Sequence, residues 1–179
     1  MFEDIYLEIE IIKTEKSRIS ETDFNNLQFG NIFSDHIIVM DYYDEKWQKP
    51  KIKPYGPMEI YPANCYLHYG QAVFEGLKAF RTKSGKINIF RVDMHYKRLN
   101  SSCERLCIPE MDYDTFIKPL TELLKVDSAW IPDKKGCSLY IRPVIFATDN
   151  FIGVKISDTY TYFTITCPVG AYFKGGLTP

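Results

Sequence analysis

The sequence lacks an excess of charge of either sign. Its 22 Lys and Arg residues nearly balance its 23 Asp and Glu residues, which leaves a formal net charge of −1. Proteins that bind nucleic acid or a membrane surface usually carry a strong basic patch, and this balance gives no reason to expect one. We therefore predict that the chain binds neither nucleic acid nor a membrane.

Long apolar runs are also missing. No segment approaches the roughly 20 apolar residues of a membrane-spanning helix, and the acidic start MFEDIYLEIEIIK does not fit a signal peptide. The five cysteines are odd in number and form no CxxC pair. We expect thiols rather than disulfides or metal ligands, which predicts a reducing compartment, the cytoplasm.

Common catalytic motifs do not occur in the chain. It has no glycine-rich phosphate loop, no dinucleotide fingerprint, and no HExxH or GxSxG motif. Its three histidines, His36, His68 and His95, are scattered without the neighbours of a triad or a metal site. We predict no metal site, and a structural role for His68.

What the chain does contain is typical of one globular domain. At 179 residues, with 45% hydrophobic and 25% charged residues, it is long enough to bury a core. Aromatic residues are abundant, with 13 Tyr and 12 Phe. These rings can form a core of large side chains, line a pocket, or do both.

Periodicity predicts the secondary structure. Two helices are expected in the middle of the chain, one capped by Asp93 with Leu99, Cys103 and Leu106 on its apolar face, and one over residues 113–126. Period-two runs predict strands at residues 5–12, 36–41, 51–55, 77–81, 87–90, 138–147 and 159–166.

Most of these strands are joined as hairpins, so the fold class is predicted as α+β, with a mainly antiparallel sheet and two central helices. Residues 1–24 are expected to form an N-terminal arm or strand, and residues 25–179 the α+β domain.

The predicted strand at residues 138–147 carries a candidate binding pair. Tyr140 and Arg142 lie two residues apart and therefore face the same side of the strand. Arginine binds carboxylates through a planar fork of two N–H groups. The alternative is that both side chains belong to a solvent-facing edge strand without a binding role.

Four segments together resemble the branched-chain aminotransferases, which are pyridoxal-phosphate enzymes of fold type IV. They are YGQAVFEGLKAFR with the following FR and helix in residues 67–106, FGNIFSDH at 29–36, SLYIRPV at 138–144 and CPVGAYF at 167–173. They occur in the family's order and at close to its spacing, so the resemblance covers residues 25–179.

The resemblance implies a function. The complete enzyme would move the amino group of Leu, Ile or Val to 2-oxoglutarate, giving glutamate, with pyridoxal 5'-phosphate as cofactor, and would act as a homodimer. It also implies a substrate pocket lined by Phe29, Tyr69, Phe74, Tyr140, Arg142 and Tyr172.

Other roles follow only from the resemblance. Arg98 would bind the cofactor phosphate, although by itself it reads as a solvated helix arginine that pairs with a nearby acid. Ile152 and Val154 would lie on a loop that completes the pocket of the partner subunit.

The lysine that holds the cofactor as a Schiff base is expected beyond Pro179, in a C-terminal domain absent from this chain. The chain is thus expected to be the N-terminal, substrate-side domain, without a catalytic residue of its own and inactive alone. The alternatives are another fold type IV enzyme, namely a D-amino-acid aminotransferase or an aminodeoxychorismate lyase, and a non-catalytic binding or dimerisation module.

Overall fold

A computed structural model describes residues 8–170 as one curled sheet with helices on one face. Its strands are β1 (Glu10–Ile11), β2 (His36–Tyr43), β3 (Lys46–Trp47), β4 (Lys51–Pro54), β5 (Ala72–Phe74), β6 (Leu77–Arg81), β7 (Ile87–Ile89), β8 (Ser138–Ala147) and β9 (Tyr160–Val169). The helices are α1 (Cys65–Tyr69), α2 (Val92–Arg105) and α3 (Tyr113–Val126), with 3-10 turns at Ile19–Glu21 and Ser128–Trp130.

The strands follow the order β1-β4-β2-β9-β8-β6-β7, and in addition β3 pairs with β2 and β5 with β8. The β1–β4 pair is parallel, and the other pairs in the described part are antiparallel. The predicted α+β class with a mainly antiparallel sheet and two central helices is therefore confirmed.

Strand β8 lies in the middle of the sheet. It pairs with β9 over ten residues, from Ser138 opposite Val169 to Ala147 opposite Tyr160, and β5 and β6 pair with its other edge. The alternative that Tyr140 and Arg142 lie on an edge strand is therefore wrong. The predicted alternation is confirmed, since Leu139 and Ile141 are fully buried while Tyr140 and Arg142 are half-buried.

Helices α2 and α3 cover the face of the sheet that carries Leu139 and Ile141. Their buried side chains, which join these two residues in one core, are Leu99 and Cys103 of α2 and Phe116, Leu120, Leu123 and Leu124 of α3. Burying this apolar surface stabilises the fold by about 25 cal/mol per Å². Within residues 8–170, no helix is long and apolar enough to cross a membrane.

Two details of α2 were predicted wrongly. The helix is preceded by Arg91, in a left-handed conformation without a side-chain cap, so Asp93 lies in the first turn instead of at the N-cap. There its charge still favours the positive end of the helix dipole. Leu106 is 42% exposed because the helix ends at Arg105 and the chain turns away at Cys107, whose φ is 54°.

A polar cluster around Asp35 attaches the N-terminal arm to the domain. The Asp35 carboxylate accepts hydrogen bonds from the Ser17 hydroxyl, the Arg18 backbone N–H at 2.9 Å and the Trp130 indole N–H at 2.8 Å. Burial alone would raise the pKa of Asp35, but these hydrogen bonds and the charge of Arg18 hold it below its ordinary value. Of the predicted strand at residues 5–12, the described part contains β1.

We expect Asp35→Ala to lower the free energy of unfolding by about 3 kcal/mol, because buried donors lose their acceptor. Urea unfolding followed by circular dichroism measures this change. The folded-state pKa of Asp35 is lowered. The stabilisation by the Asp35 carboxylate is therefore fully present above the ordinary carboxyl pKa, and it is lost as the pH falls from there through the folded-state pKa. The deficit of the variant should therefore shrink in acid.

The exposed Asp133 provides the control, and Asp133→Ala should change the stability by less than about 0.5 kcal/mol. Equal losses for the two variants would contradict a specific role for Asp35.

Candidate functional site

Tyr140 and Arg142 form a preorganised pair on the face of β8 away from the helices. The Arg142 guanidinium donates through Nε at 3.0 Å and through Nη2 at 2.7 Å to the Tyr140 hydroxyl oxygen. It also lies 4.3 Å from the centroid of the Phe74 ring, within the range of a cation–π contact. These contacts hold the guanidinium plane in one orientation.

A cavity of about 150 Å³ opens beside this pair. Its lining is mostly apolar and consists of Phe29, Gly30, Phe33, Tyr140, Arg142, Ile165 and Cys167. The Phe29 ring meets the Tyr140 ring edge-on, with 4.9 Å between centroids. Burial raises the pKa of the Cys167 thiol, so this wall of the cavity stays uncharged at neutral pH.

A second cluster centres on Glu75, which sequence reasoning missed. The Glu75 carboxylate is 3% exposed and accepts from Arg98 through both Nε and Nη2, the latter at 2.7 Å to Oε2. His95 Nδ1 lies 2.9 Å from Oε2, and the Gly76 backbone N–H donates to the same oxygen at 3.1 Å.

This cluster has a clear electrostatic effect. Burial favours the protonated acid, but the hydrogen bonds from Arg98, His95 and Gly76 outweigh it and lower the pKa of Glu75. The same hydrogen bond and charge raise the pKa of Arg98. Glu75 is therefore a buried carboxylate, while the Arg98 side chain remains 65% exposed.

The two clusters meet at one short segment, Phe74-Glu75-Gly76. Phe74 lies under the Arg142 guanidinium, and Glu75 binds Arg98. Gly76 leaves room for the Tyr140 hydroxyl, which a Cβ atom at this position would overlap. An acid between an aromatic residue and a glycine at a strand end was the sequence signal that could have pointed to Glu75.

Tyr69 lies at the end of α1, and its hydroxyl donates to the backbone carbonyl of Ile152. Ile152 and Val154 lie on an exposed loop, with 63% and 89% of their surface accessible. The predicted pocket residues Phe29, Tyr140, Arg142 and Phe74 thus form a chain of contacts in that order, whereas Tyr69 contacts the loop. Tyr172 lies outside the described residues.

Sequence comparison supports the resemblance, although no protein-family model matches the chain. The chain is 44% identical over 174 residues to branched-chain-amino-acid aminotransferase 2 of Bacillus subtilis (strain 168), a match that covers 97% of this chain and 47% of that relative. The chain is homologous to part of the branched-chain-amino-acid aminotransferases. It spans about half the length of the relatives that it matches.

Solved structures show the same fold. The branched-chain aminotransferase of Thermoproteus uzoniensis, solved with norvaline, superposes with a TM-score of 0.56 at 21% identity, over 75% of this chain and 42% of that one. The branched-chain amino acid aminotransferase of Escherichia coli gives a TM-score of 0.55 at 22% identity, over 75% and 40%. A further branched-chain amino acid aminotransferase, complexed with N-(5'-phosphopyridoxyl)-L-glutamate, gives 0.57 at 22% identity, over 76% and 41%.

We expect Gly76→Ala to displace the Tyr140 hydroxyl and to cost about 1–3 kcal/mol of folding stability, because the added methyl group overlaps a packed side chain. A thermal melt and a crystal structure of the variant would measure both effects.

Gly56→Ala is the matched control, since a Cβ atom there meets nothing within 4 Å. If Gly76→Ala melted like this control, with Tyr140 unmoved, the proposed steric constraint would be wrong.

Proposed function

We propose that this chain forms the substrate-binding part of an aminotransferase that moves the amino group of Leu, Ile or Val to 2-oxoglutarate. The observation that carries the proposal is the Tyr140–Arg142 pair beside an apolar cavity on a central strand. The homology to branched-chain-amino-acid aminotransferases supports it.

The pair is suited to the side-chain carboxylate of glutamate or 2-oxoglutarate. Arg142 has five N–H groups, of which two point to Tyr140. The remaining N–H groups, and the Tyr140 O–H hydrogen that these bonds do not use, can donate to a carboxylate. The glutamate adduct bound to one of the structural relatives is in line with such a substrate.

The apolar part of the cavity is suited to the other substrate. A branched aliphatic side chain placed against Phe29, Phe33 and Ile165 would lose contact with water, which favours binding by about 25 cal/mol per Å². One cavity can therefore accept a hydrocarbon group or, at its polar end, a carboxylate. We place Phe74, Tyr69 and Tyr172 around the same substrate, as the resemblance implies.

Arg98, held by Glu75, is suited to the phosphate end of pyridoxal 5'-phosphate. The Arg98 guanidinium is fixed on one edge by Glu75 and exposed on the other, and its charge persists at any working pH. We propose that this outer edge binds the cofactor phosphate. When bound, the cofactor supplies the electron sink that transamination needs. We propose that the lysine that holds the cofactor as a Schiff base lies beyond Pro179.

We also propose that the enzyme containing this chain acts as a homodimer. Ile152 and Val154 lie on a loop whose apolar side chains are largely exposed, and Tyr69 ties the loop backbone to the same subunit. We propose that the loop completes the pocket of the partner subunit. The cytoplasm remains the predicted compartment, in line with five free thiols.

We expect Arg142→Ala, made in the holoenzyme that contains this chain, to raise the KM for glutamate about ten- to hundredfold and the KM for leucine much less. The reason is that a carboxylate loses a charged hydrogen bond of about 1.5–3 kcal/mol, whereas an aliphatic side chain loses none. Steady-state kinetics with both donors measures the two constants.

Arg105→Ala, which removes an exposed cation from the end of α2, is the control and should leave both constants unchanged. Equal losses for glutamate and leucine would remove the carboxylate role from Arg142. Absence of turnover of any amino acid by the unmodified holoenzyme would favour the non-catalytic module.

A further inference from the structure

Glu75 is the most completely engaged buried charge of the candidate site. Four donors converge on its carboxylate: Nε and Nη2 of Arg98, Nδ1 of His95 and the backbone N–H of Gly76. The carboxylate itself is too deeply buried to meet a substrate, because Glu75 is 3% exposed. Its contacts therefore act on its neighbours, and Arg98, with a side chain 65% exposed, reaches solvent further than His95 does.

We infer that Glu75 is a positioning residue, which fixes Arg98 so that the outer edge of the guanidinium faces the cofactor phosphate. The inference rests on the proposed role of Arg98 and adds the group that makes this role possible. A free arginine side chain samples many rotamers, whereas a guanidinium held at two atoms by a buried carboxylate keeps one plane.

The donor count of the guanidinium agrees with this role. Arginine has five N–H groups in a rigid fork, and Glu75 uses the Nε–H and one N–H of Nη2. Three N–H groups remain, one on Nη2 and two on Nη1, and a planar guanidinium directs one from each nitrogen to the end of the fork that Glu75 does not occupy. This Nη1/Nη2 end can form a two-point contact with phosphate oxygens, so one arginine can bind both anions at once.

His95 supports the arrangement from the side. Its Nδ1–H donates to Glu75 Oε2, so this nitrogen has no lone pair for the Arg98 Nη2 that lies 3.4 Å away. His95 thus holds the carboxylate without competing for the donors of Arg98. It lies one helical turn before Arg98 on α2, which keeps both side chains on the same side.

Glu75 has two opposite effects on a bound phosphate, and a substitution can separate them. The negative charge of Glu75 repels the phosphate, while its two carboxylate oxygens orient the arginine. Glu75→Gln removes the charge with little change in shape, but an amide offers one acceptor oxygen to four donors. If charge dominated, the cofactor would bind more tightly; if orientation dominates, it binds more weakly.

The test measures the dissociation constant of pyridoxal 5'-phosphate for the holoenzyme that contains this chain, by absorbance after dialysis. We expect Glu75→Gln and Arg98→Ala each to weaken binding about 10- to 100-fold. Adding Glu75→Gln to Arg98→Ala should cause no further loss, because Glu75 acts through Arg98. Glu104→Gln, an exposed acid on the same helix, should match the unmodified protein.

A purely structural role gives a different pattern, since Glu75→Gln would then weaken binding equally with or without Arg98. That result, or tighter binding of the cofactor by Glu75→Gln, would overturn the inference. If Arg98→Ala retained the cofactor normally, the proposed phosphate role of Arg98 itself would be wrong.

Arg98→Lys provides an independent test if Glu75→Gln does not fold. The substitution keeps the charge at an exposed position but cannot fork onto Glu75 and the phosphate together. We expect Arg98→Lys to lose the cofactor nearly as readily as Arg98→Ala. Retention equal to that of the unmodified protein would show that charge alone suffices, and the positioning role would be wrong.

Discussion

The antiparallel pairing of β8 with β9 is the constraint on which the rest of the site depends. Ten consecutive residue pairs fix the register, so the side-chain alternation of β8 cannot slip by one residue without exchanging its two faces. One face enters the helix-covered core through Leu139 and Ile141, and the opposite face presents Tyr140 and Arg142. Burial on one side thus orients the polar pair on the other.

The second constraint is the segment Phe74-Glu75-Gly76, which runs alongside β8. It supplies a ring under one arginine, a carboxylate to a second arginine, and the space that a tyrosine hydroxyl occupies. Because these three residues are consecutive, the backbone fixes the spacing of the groups that hold Arg142 and Arg98.

Sequence reasoning predicted the parts that depend on local pattern. The bounds of β8 and α3 match the predicted ranges, and α3 tolerates Pro119 in its interior. Periodicity alone could not decide between a central and an edge position for β8, because that position depends on strands distant in the chain. Glu75 was missed because its side-chain partners come from α2. The predictions that Asp93 caps α2 and that Leu106 lies on its buried face were wrong. Arg91 and Cys107, both with positive φ, set the direction of the chain at the two helix ends, and periodicity does not reveal this.

The consecutive placement of Phe74, Glu75 and Gly76 also limits how such a site can diverge. A substitution at any of these positions would alter the contacts of one arginine and disturb those of its neighbour. Under the proposed roles of the two arginines, cofactor binding and substrate binding would therefore change together. Phe33 and Ile165 line the cavity with apolar side chains, so substitutions there change its shape without removing a group that holds Arg98 or Arg142. Under the proposed function, a change of substrate preference is therefore easiest through these two side chains, while the contacts of Arg98 and Arg142 stay intact.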